Sequence, residues 1–390
     1  MYFSFEITQL QWILLQVALV LILVALGVFT SRVLAVKRAA RRSGEDEISD
    51  RYENVAVIVY SNDDAGDLAT LLPQILGQDY PAEMEVVVVN EGDSPSVREV
   101  VTDFQMTHSN LYLTSTPDGA RNLSRKKLAV TLGIKATRMP VVVLTTADTV
   151  IKSNQWLRAM CRHFIQGSPT EVVLGYASAP PYEDRAAGAR ARSFDHVAES
   201  AAWIAPAAKG RPWRGTGHNI AYRRDLFFRN KGFSRHLNLR DGDDDIFVSE
   251  IARPGNTMIE LSPEACVEVP GANAPRAYRH RNARRRFTER FISRRPHVAG
   301  TVSFAAYMLA PFPAIAAGAL SPANIFGWAA CAGIIVAWCA TGMIWRAAVM
   351  TLNGRRLLLT LPVLAATRPL RKTYTALRCI IRPDKRYTWE

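Results

Sequence analysis

Val55-Ala-Val-Ile-Val-Tyr60, closed by the polar turn Ser61-Asn-Asp-Asp64, is the stretch from which the fold is read. An unbroken apolar run of this length suits a strand buried on both faces, as in a parallel sheet covered by helices. Leu68, Leu71, Leu72, Ile75 and Leu76 follow on one helical face. Met84-Glu-Val-Val-Val-Val89 then predicts a second strand, ending in Asn90-Glu-Gly-Asp93. A helix from about 125 to 137 leads to a third strand, Val141-Val-Val-Leu144, ending at Thr145-Thr-Ala-Asp148. Strand, helix, strand, helix, strand is the pattern of an α/β domain with a mostly parallel central sheet and flanking helices. Ligands bind such sheets beyond the carboxyl ends of the strands. Those ends carry Asp63, Asp64, Glu91, Asp93 and Asp148. Acids gathered on one rim imply a metal ion or a hydroxyl-rich ligand.

Outside this region the chain is apolar. Residues 10–29 are uncharged and span about 20 residues, enough to cross a hydrocarbon core of roughly 30 Å as a helix. The basic cluster Arg32, Lys37, Arg38, Arg41 and Arg42 follows this run, whereas a cleaved signal peptide carries its basic residues in front. By the positive-inside rule the N-terminus is then outside and the α/β domain cytoplasmic. A second apolar region reads as a helical hairpin, about 299–320 and 323–346, broken at Ser321-Pro-Ala-Asn324. Arg290, Arg294 and Arg295 precede it and Arg346, Arg355 and Arg356 follow, so both flanks lie inside. The tail contains Leu357-Leu-Leu-Thr-Leu-Pro-Val-Leu364, too short to cross and read as an interfacial helix with Arg371, Lys372 and Arg378 toward headgroups. The net charge of +13 sits mostly beside these spans and serves anionic headgroups. A nucleic-acid binder would need interleaved aromatics on a basic face, which are missing here. The five cysteines form no CxxC pair, which argues against a zinc site or a disulfide framework.

Asp241-Gly-Asp-Asp-Asp245 is the most informative motif. Four carboxylates in five residues repel one another unless cations or protons separate them. The apolar Ile246-Phe-Val248 beside them packs the loop onto a core, where one carboxylate can act as a general base. Upstream, Gly215-Thr-Gly-His-Asn-Ile-Ala-Tyr222 permits close backbone approach to a ligand. Downstream, the basic run Arg276–Arg286 reads mainly as juxtamembrane, with one or two arginines able to turn inward onto a diphosphate.

In this order the motifs resemble those of glycosyltransferase family 2, with the GT-A fold, over residues 52–295. Membrane-anchored bacterial members share Gln78-Asp-Tyr-Pro81, Lys126-Lys-Leu-Ala-Val-Thr-Leu-Gly-Ile-Lys-Ala136 and Gly242-Asp-Asp-Asp-Ile-Phe-Val248. The resemblance implies an anchor (1–31), a basic cytoplasmic linker (32–51), a GT-A domain (52–275), a basic membrane-interface segment (276–298), a transmembrane hairpin (299–346) and a tail (347–390). It implies that Asp63, Glu91, Lys127, Asn219, Arg281 and Arg284 border the donor. Asp148 stands at the last position of the DxD motif as ligand to Mg²⁺ or Mn²⁺. Asp244 corresponds to the catalytic base, with Asp243 its neighbour, and Arg284 to the arginine of the QxxRW-like motif.

The implied reaction is inverting transfer of a sugar from a UDP- or GDP-linked donor to a lipid-linked or glycan acceptor at a bacterial inner membrane. A divalent cation neutralises the leaving diphosphate, and one carboxylate plus phosphates and water suffices to hold it. The sequence departs from the family at Thr146, where the first DxD aspartate is expected, at Arg281 in place of glutamine, and at Arg285 in place of an aromatic residue or histidine. Thr146 supports the alternative of a catalytically degenerate sugar-nucleotide-binding partner in a polysaccharide-synthesis complex. The retained Asp243–Asp244 pair supports the enzyme.

Overall fold

The computed structural model describes residues 7–45, 51–117, 123–180, 188–292, 295–320, 325–352 and 360–381. The turn at Ser321–Asn324, Arg294, and Arg355–Leu359 lie outside them.

The chain opens with one helix, α1 (Gln9–Glu45), of 37 residues. At 1.5 Å per residue it is roughly 55 Å long, well beyond what an apolar span needs. Its far third packs onto the α/β domain. Val33, Ala35, Val36 and Ala39 are buried in that domain's core. Ser43 Oγ donates to Ile259 O at 3.2 Å and accepts from Leu261 N at 3.1 Å. The segment expected as a linker is therefore helical as far as Glu45. Lys37, Arg38, Arg41 and Arg42 stay at the surface while the small apolar residues between them recur at helical spacing and are buried.

Three strand–helix units follow: β1 (Val55–Ser61), α2 (Ala65–Leu76), β2 (Met84–Asn90), α3 (Pro95–Gln105), β3 (Leu111–Ser115) and α4 (Arg125–Ala136). The chain then returns to the sheet centre as β4 (Val141–Thr146) and passes through β5 (Val150–Ile151), α5 (Trp156–Cys161), β6 (Val172–Leu174), β7 (Ala177–Ser178) and α6 (Ala189–Ala207). Next come β8 (Ile220–Arg223), α7 (Arg224–Arg229), α8 (Ile246–Ile251), β9 (Thr257–Ile259) and β10 (Val267–Glu268). The main sheet has seven strands in the order β3-β2-β1-β4-β8-β6-β9. Pairs β3–β2, β2–β1, β1–β4 and β6–β9 are parallel; β8 runs antiparallel to both its neighbours. A small sheet, β5-β10-β7, flanks it. Val55, Val57 and Val59 face one buried layer, Ala56 and Ile58 the other, as the continuous apolar run predicts. This is the GT-A architecture.

The remainder is helical: α9 (Pro275–Thr288), α10 (Arg295–Leu309), α11 (Pro311–Leu320), α12 (Ile325–Thr351) and α13 (Leu361–Ile381). Three stretches, Gln9–Gly44, Val298–Leu320 and Cys331–Thr351, are long and apolar enough to cross a membrane. The second is broken at Ala310–Pro311, where the proline ring cannot continue an uninterrupted helix. Helix α13 begins later than the apolar tail run expected to form it. Arg371 does not reach outward: its guanidinium makes a two-pronged contact with buried Asp195 on α6, at 2.8 and 3.2 Å. A charge-assisted pair out of water outcompetes a headgroup contact there.

Candidate active site

The strand ends build the site. After β1 the chain turns at Asp63, with φ of 58°, and after β2 at Asp93, with φ of 54°; aspartate is among the few residues that accept this left-handed conformation. Asp63 Oδ1 accepts from Ser94 Oγ at 2.6 Å, tying the two turns together. Glu91 accepts from the Tyr60 hydroxyl. The Lys126 ammonium lies 5.4 Å from the centre of the Tyr60 ring and 2.7 Å from Asp243 Oδ2. A chain of contacts thus runs from the β2 end, through β1 and the start of α4, to the acidic loop.

At the end of β4, the Thr146 hydroxyl donates to Asp148 Oδ1 at 2.5 Å and lies 2.6 Å from His218 Nδ1. His218 Nδ1 is itself 3.5 Å from Asp148 Oδ1. Burial raises the Asp148 pKa, but the bonds from His218 and Thr146 and the nearby Lys126 charge outweigh it and hold the carboxyl well below the usual range. Its side chain keeps 48% of its exposure, so an ionised carboxylate faces solvent beside an imidazole. Among the described residues no three acidic, histidine or cysteine side chains converge as a metal cage. One exposed carboxylate with a neighbouring imidazole nevertheless fits a Mg²⁺- or Mn²⁺-type cation that takes its other ligands from phosphates and water.

The acidic loop forms the opposite wall. Asp243 and Asp244 are buried, at 6% and 7% exposure, yet each has a cation. Arg284 Nη2 donates to Asp244 Oδ1 at 2.6 Å, and Gly217 N donates to Asp244 Oδ2 at 3.3 Å. Burial pushes Asp244 up, but Arg284 above all, then Lys126 and Arg214, hold it well below the ordinary value. Asp243 is also lowered, burial being outweighed chiefly by Lys126. Asp245 goes the other way, raised by burial and by Asp244. It caps α8 through Ile246 N at 2.8 Å and accepts from Thr288. Gly217 fits closely between these groups: a Cβ there would sit 3.2 Å from Asp243 Oδ2, tight enough that the carboxylate would have to shift slightly, and 3.5 Å from Lys126 Nζ. Gly217 and His218 are consecutive, so one short turn touches both carboxylate centres.

The structure thus brings together Asp148, Asp243, Asp244 and Arg284, with Asp63 and Glu91 on the adjoining strand ends. Three expected donor residues are elsewhere. Lys127 is fully buried, its Nζ donating to His236 O at 2.6 Å and Leu239 O at 3.0 Å and lying 2.8 Å from His236 Nδ1. On α4 it shares a face with Val130 and Ile134, and it braces the stretch leading to the acidic loop; Lys126 is the lysine at the site. Asn219 is equally buried, bonded to Tyr176 O, Ala265 O and Trp156 Nε1, and locks β8 to its surroundings. Arg281 lies back from the acidic loop, donating to Ala272 O at 2.5 Å, while its Nε and Nη2 are buried without a hydrogen-bond partner among the described residues.

Lys126 and His218 escaped the sequence reading as site groups, and Arg285, named there only as a departure from the family, pairs with Glu199 at 3.1 Å. A signal existed for the last. Arg281, Arg284, Arg285 and Thr288 stand at i, i+3, i+4 and i+7, one inward stripe of α9.

No protein-family model matches the chain, and no curated protein matches it in sequence. Solved structures do. A mannosyltransferase from Pyrobaculum calidifontis, in complex with GDP-mannose and Mn²⁺, is similar at a TM-score of 0.52 and 19% identity, covering 95% of this chain and 100% of that one. Residues 1–349 of TarS from S. aureus align at a TM-score of 0.40 and 15% identity, over 85% of this chain and 93% of that one. At 19% identity the likeness to the mannosyltransferase speaks for the fold alone: this chain has the GT-A architecture, with three helices apolar enough to span a membrane beside it.

Proposed function

We propose that the chain is a membrane-anchored, inverting glycosyltransferase of the family 2 type, drawing on a UDP- or GDP-linked sugar at the cytoplasmic face of a bacterial inner membrane. The observation that carries this reading is the turn at Gly217-His218. Its backbone N–H meets Asp244 while its imidazole meets Asp148, so the half-exposed Asp148 carboxylate and the buried Asp243–Asp244 pair flank one turn beyond the strand ends.

Asp63 and Glu91 border the nucleotide, and Asp148 with His218 holds the divalent cation, which when bound supplies Lewis-acid neutralisation of the leaving diphosphate. Asp244 takes the proton of the acceptor hydroxyl as that oxygen attacks the anomeric carbon from the face opposite the diphosphate, with Asp243 beside it. In the ion pair with Arg284 that carboxylate is a weak base. Arg284 is also the guanidinium best placed to turn onto a diphosphate, and once it does so Asp244 loses its principal counter-charge and its basicity rises. Donor binding then arms the base. Thr146, in place of an acid, orients Asp148 and His218 through its hydroxyl. This favours turnover over the alternative of a non-catalytic partner in a polysaccharide-synthesis complex. The three apolar helices support an acceptor presented at the membrane, lipid-linked or a nascent glycan.

The test is nucleoside diphosphate release by the detergent-purified full chain from a panel of UDP- and GDP-sugars with Mn²⁺ or Mg²⁺. Release from one donor that disappears in Asp244→Asn supports the enzyme. Donor binding with no release from any sugar would leave the non-catalytic reading standing.

A further inference from the structure

A cavity of about 470 Å³ lies where the apolar helices meet the α/β domain. Its walls come from α1, α6, α9, α10, α12 and α13, so it joins the ends of all three candidate spans to the helix that carries Arg284. Five cations line it: Arg32, Arg285, Arg286, Arg368 and Lys372. Among the described residues two carboxylates, Glu199 and Glu289, answer them from the same walls, and both are engaged by Arg285, at 3.1 and 3.2 Å. Arg368 Nη2 is buried with no hydrogen-bond partner among the described residues, and its Nε is 3.5 Å from Asp195. Arg368 and burial together push the Lys372 pKa down, the mark of cations crowded without enough counter-charge. Gly300 makes room for one of them: a Cβ there would come within 2.8 Å of Arg32 Nη2.

The other part of the lining is aromatic. Phe29 packs against Tyr307 and Trp345, with ring centroids 5.7 and 5.9 Å apart, and Phe194 lies 5.6 Å from Trp345. Phe29, Tyr307 and Trp345 belong to the apolar helices themselves. One cavity thus offers surplus guanidinium and ammonium donors at the domain side and an aromatic wall at the apolar side. Guanidinium groups match phosphate oxygens in geometry and charge, and an aliphatic chain suits the wall.

We propose that this cavity binds the phosphate head of a phosphorylated long-chain lipid, and that such a lipid is the acceptor or carries it. Its volume accommodates a phosphate and the first carbons of a chain, the rest running between the apolar helices. Consecutive residues of α9 serve the two sites: Arg284 faces Asp244, and Arg285, about 100° further round the helix, faces the cavity. The word "acceptor" rests on the proposed transferase reading; the binding site does not.

The test uses the full chain in a neutral detergent without donor sugar, with dodecyl phosphate as probe and dodecanol and inorganic phosphate as controls, followed by thermal shift and equilibrium binding. Dodecyl phosphate is expected to bind at least tenfold more tightly than either control. Lys372→Gln, on the rim, is expected to weaken it roughly tenfold, the scale of one charge-assisted contact. Ala202→Phe, which intrudes on the cavity without removing a charge, is expected to block it. If Lys372→Gln fails to fold, Ala202→Phe still decides. Equal binding of dodecanol, equal binding of inorganic phosphate, or affinity unchanged in both variants would each overturn the proposal. Lipid-phosphate binding by a protein that releases no nucleoside diphosphate would overturn the transferase and leave this site intact; nucleoside diphosphate release without such binding would do the reverse.

Discussion

Arg284→Met isolates the electrostatic balance on which the site depends. Asp241, Asp243, Asp244 and Asp245 face three cations: Lys126 at 2.7 Å from Asp243, Arg214 at 3.8 Å from Asp245, and Arg284 at 2.6 Å from Asp244 and 3.5 Å from Asp241. Four acids against three cations leave one acid in excess; without Arg284 there are two, on buried side chains. Removing one partner of a buried pair costs about 3–5 kcal/mol, because the other charge is left unmatched. For a domain of this size that corresponds to a fall in Tm on the order of 10 °C. The loss has a definite pH dependence. In the native chain Asp244 is held below its unfolded value near about 3.9, so its stabilising contribution is complete at neutral pH and is lost only in acid below that value. In the variant the largest lowering influence is gone and the native-state pKa rises, so the gap between the two proteins is greatest at neutral pH and eases as protons are taken up in acid. Thermal unfolding of both proteins in detergent from pH 7.5 down to about 3.5 measures the gap, and contributions from groups common to both cancel. A narrowing gap supports the reasoning. A gap of under about 2 °C, or one that widens toward acid, would refute it.

Other consequences concern the groups around that loop. Burial, then the Lys127 charge, push His236 down to about 4, so its neutral form is favoured by folding; that stability is full above about pH 6.5 and is lost as pH falls toward 4, by roughly 3 kcal/mol in all. His236→Gln should flatten part of the acid limb of the Tm profile, the remainder coming from His196, which burial pushes down to about 3; an unchanged limb would contradict the assignment. Gly217→Ala places a methyl 3.2 Å from Asp243 Oδ2 and should reduce turnover by about 10- to 100-fold with little change in Tm, since small displacements of reacting groups are costly. Equal losses in turnover and stability would point to a packing role instead. Lys127→Met leaves two buried carbonyls, His236 O and Leu239 O, without their donor and should lower stability by several degrees while the folded fraction keeps its turnover; loss of turnover at full stability would return Lys127 to the donor site.

What the sequence discloses follows from how strongly each element depends on periodicity. Strands β1, β2 and β4 are buried on both faces and their apolar runs are continuous, so their number and order were legible. Strand β3 lies at the sheet edge, where Leu111 alone is buried, and β6, β8 and β9 are only three or four residues long. Segments that short carry no readable period. The helical extension through Arg32–Glu45 was hidden by its charge, although Val33, Val36, Ala39 and Ser43 lie at helical spacing. Neighbouring lysines posed a different problem. Which of Lys126 and Lys127 faces the ligand depends on the phase of α4 against the sheet, and Lys127 falls in line with Val130 and Ile134. His218 and Thr146 were invisible as partners because seventy-odd residues separate them and only the β4–β8 pairing brings them together.

The central claim is that Asp244 removes the acceptor proton in an inverting transfer. The most direct measurement is a transfer assay with the full chain, its lipid acceptor and an α-linked nucleotide sugar, in which the anomeric configuration of the product is read by NMR for the native protein and for Asp244→Asn. A β-linked product is expected from the native protein and none from the variant, which should bind the donor at least as tightly, since Arg284 no longer has to leave an ionised Asp244. An α-linked product, or a variant that transfers at the native rate, would contradict it.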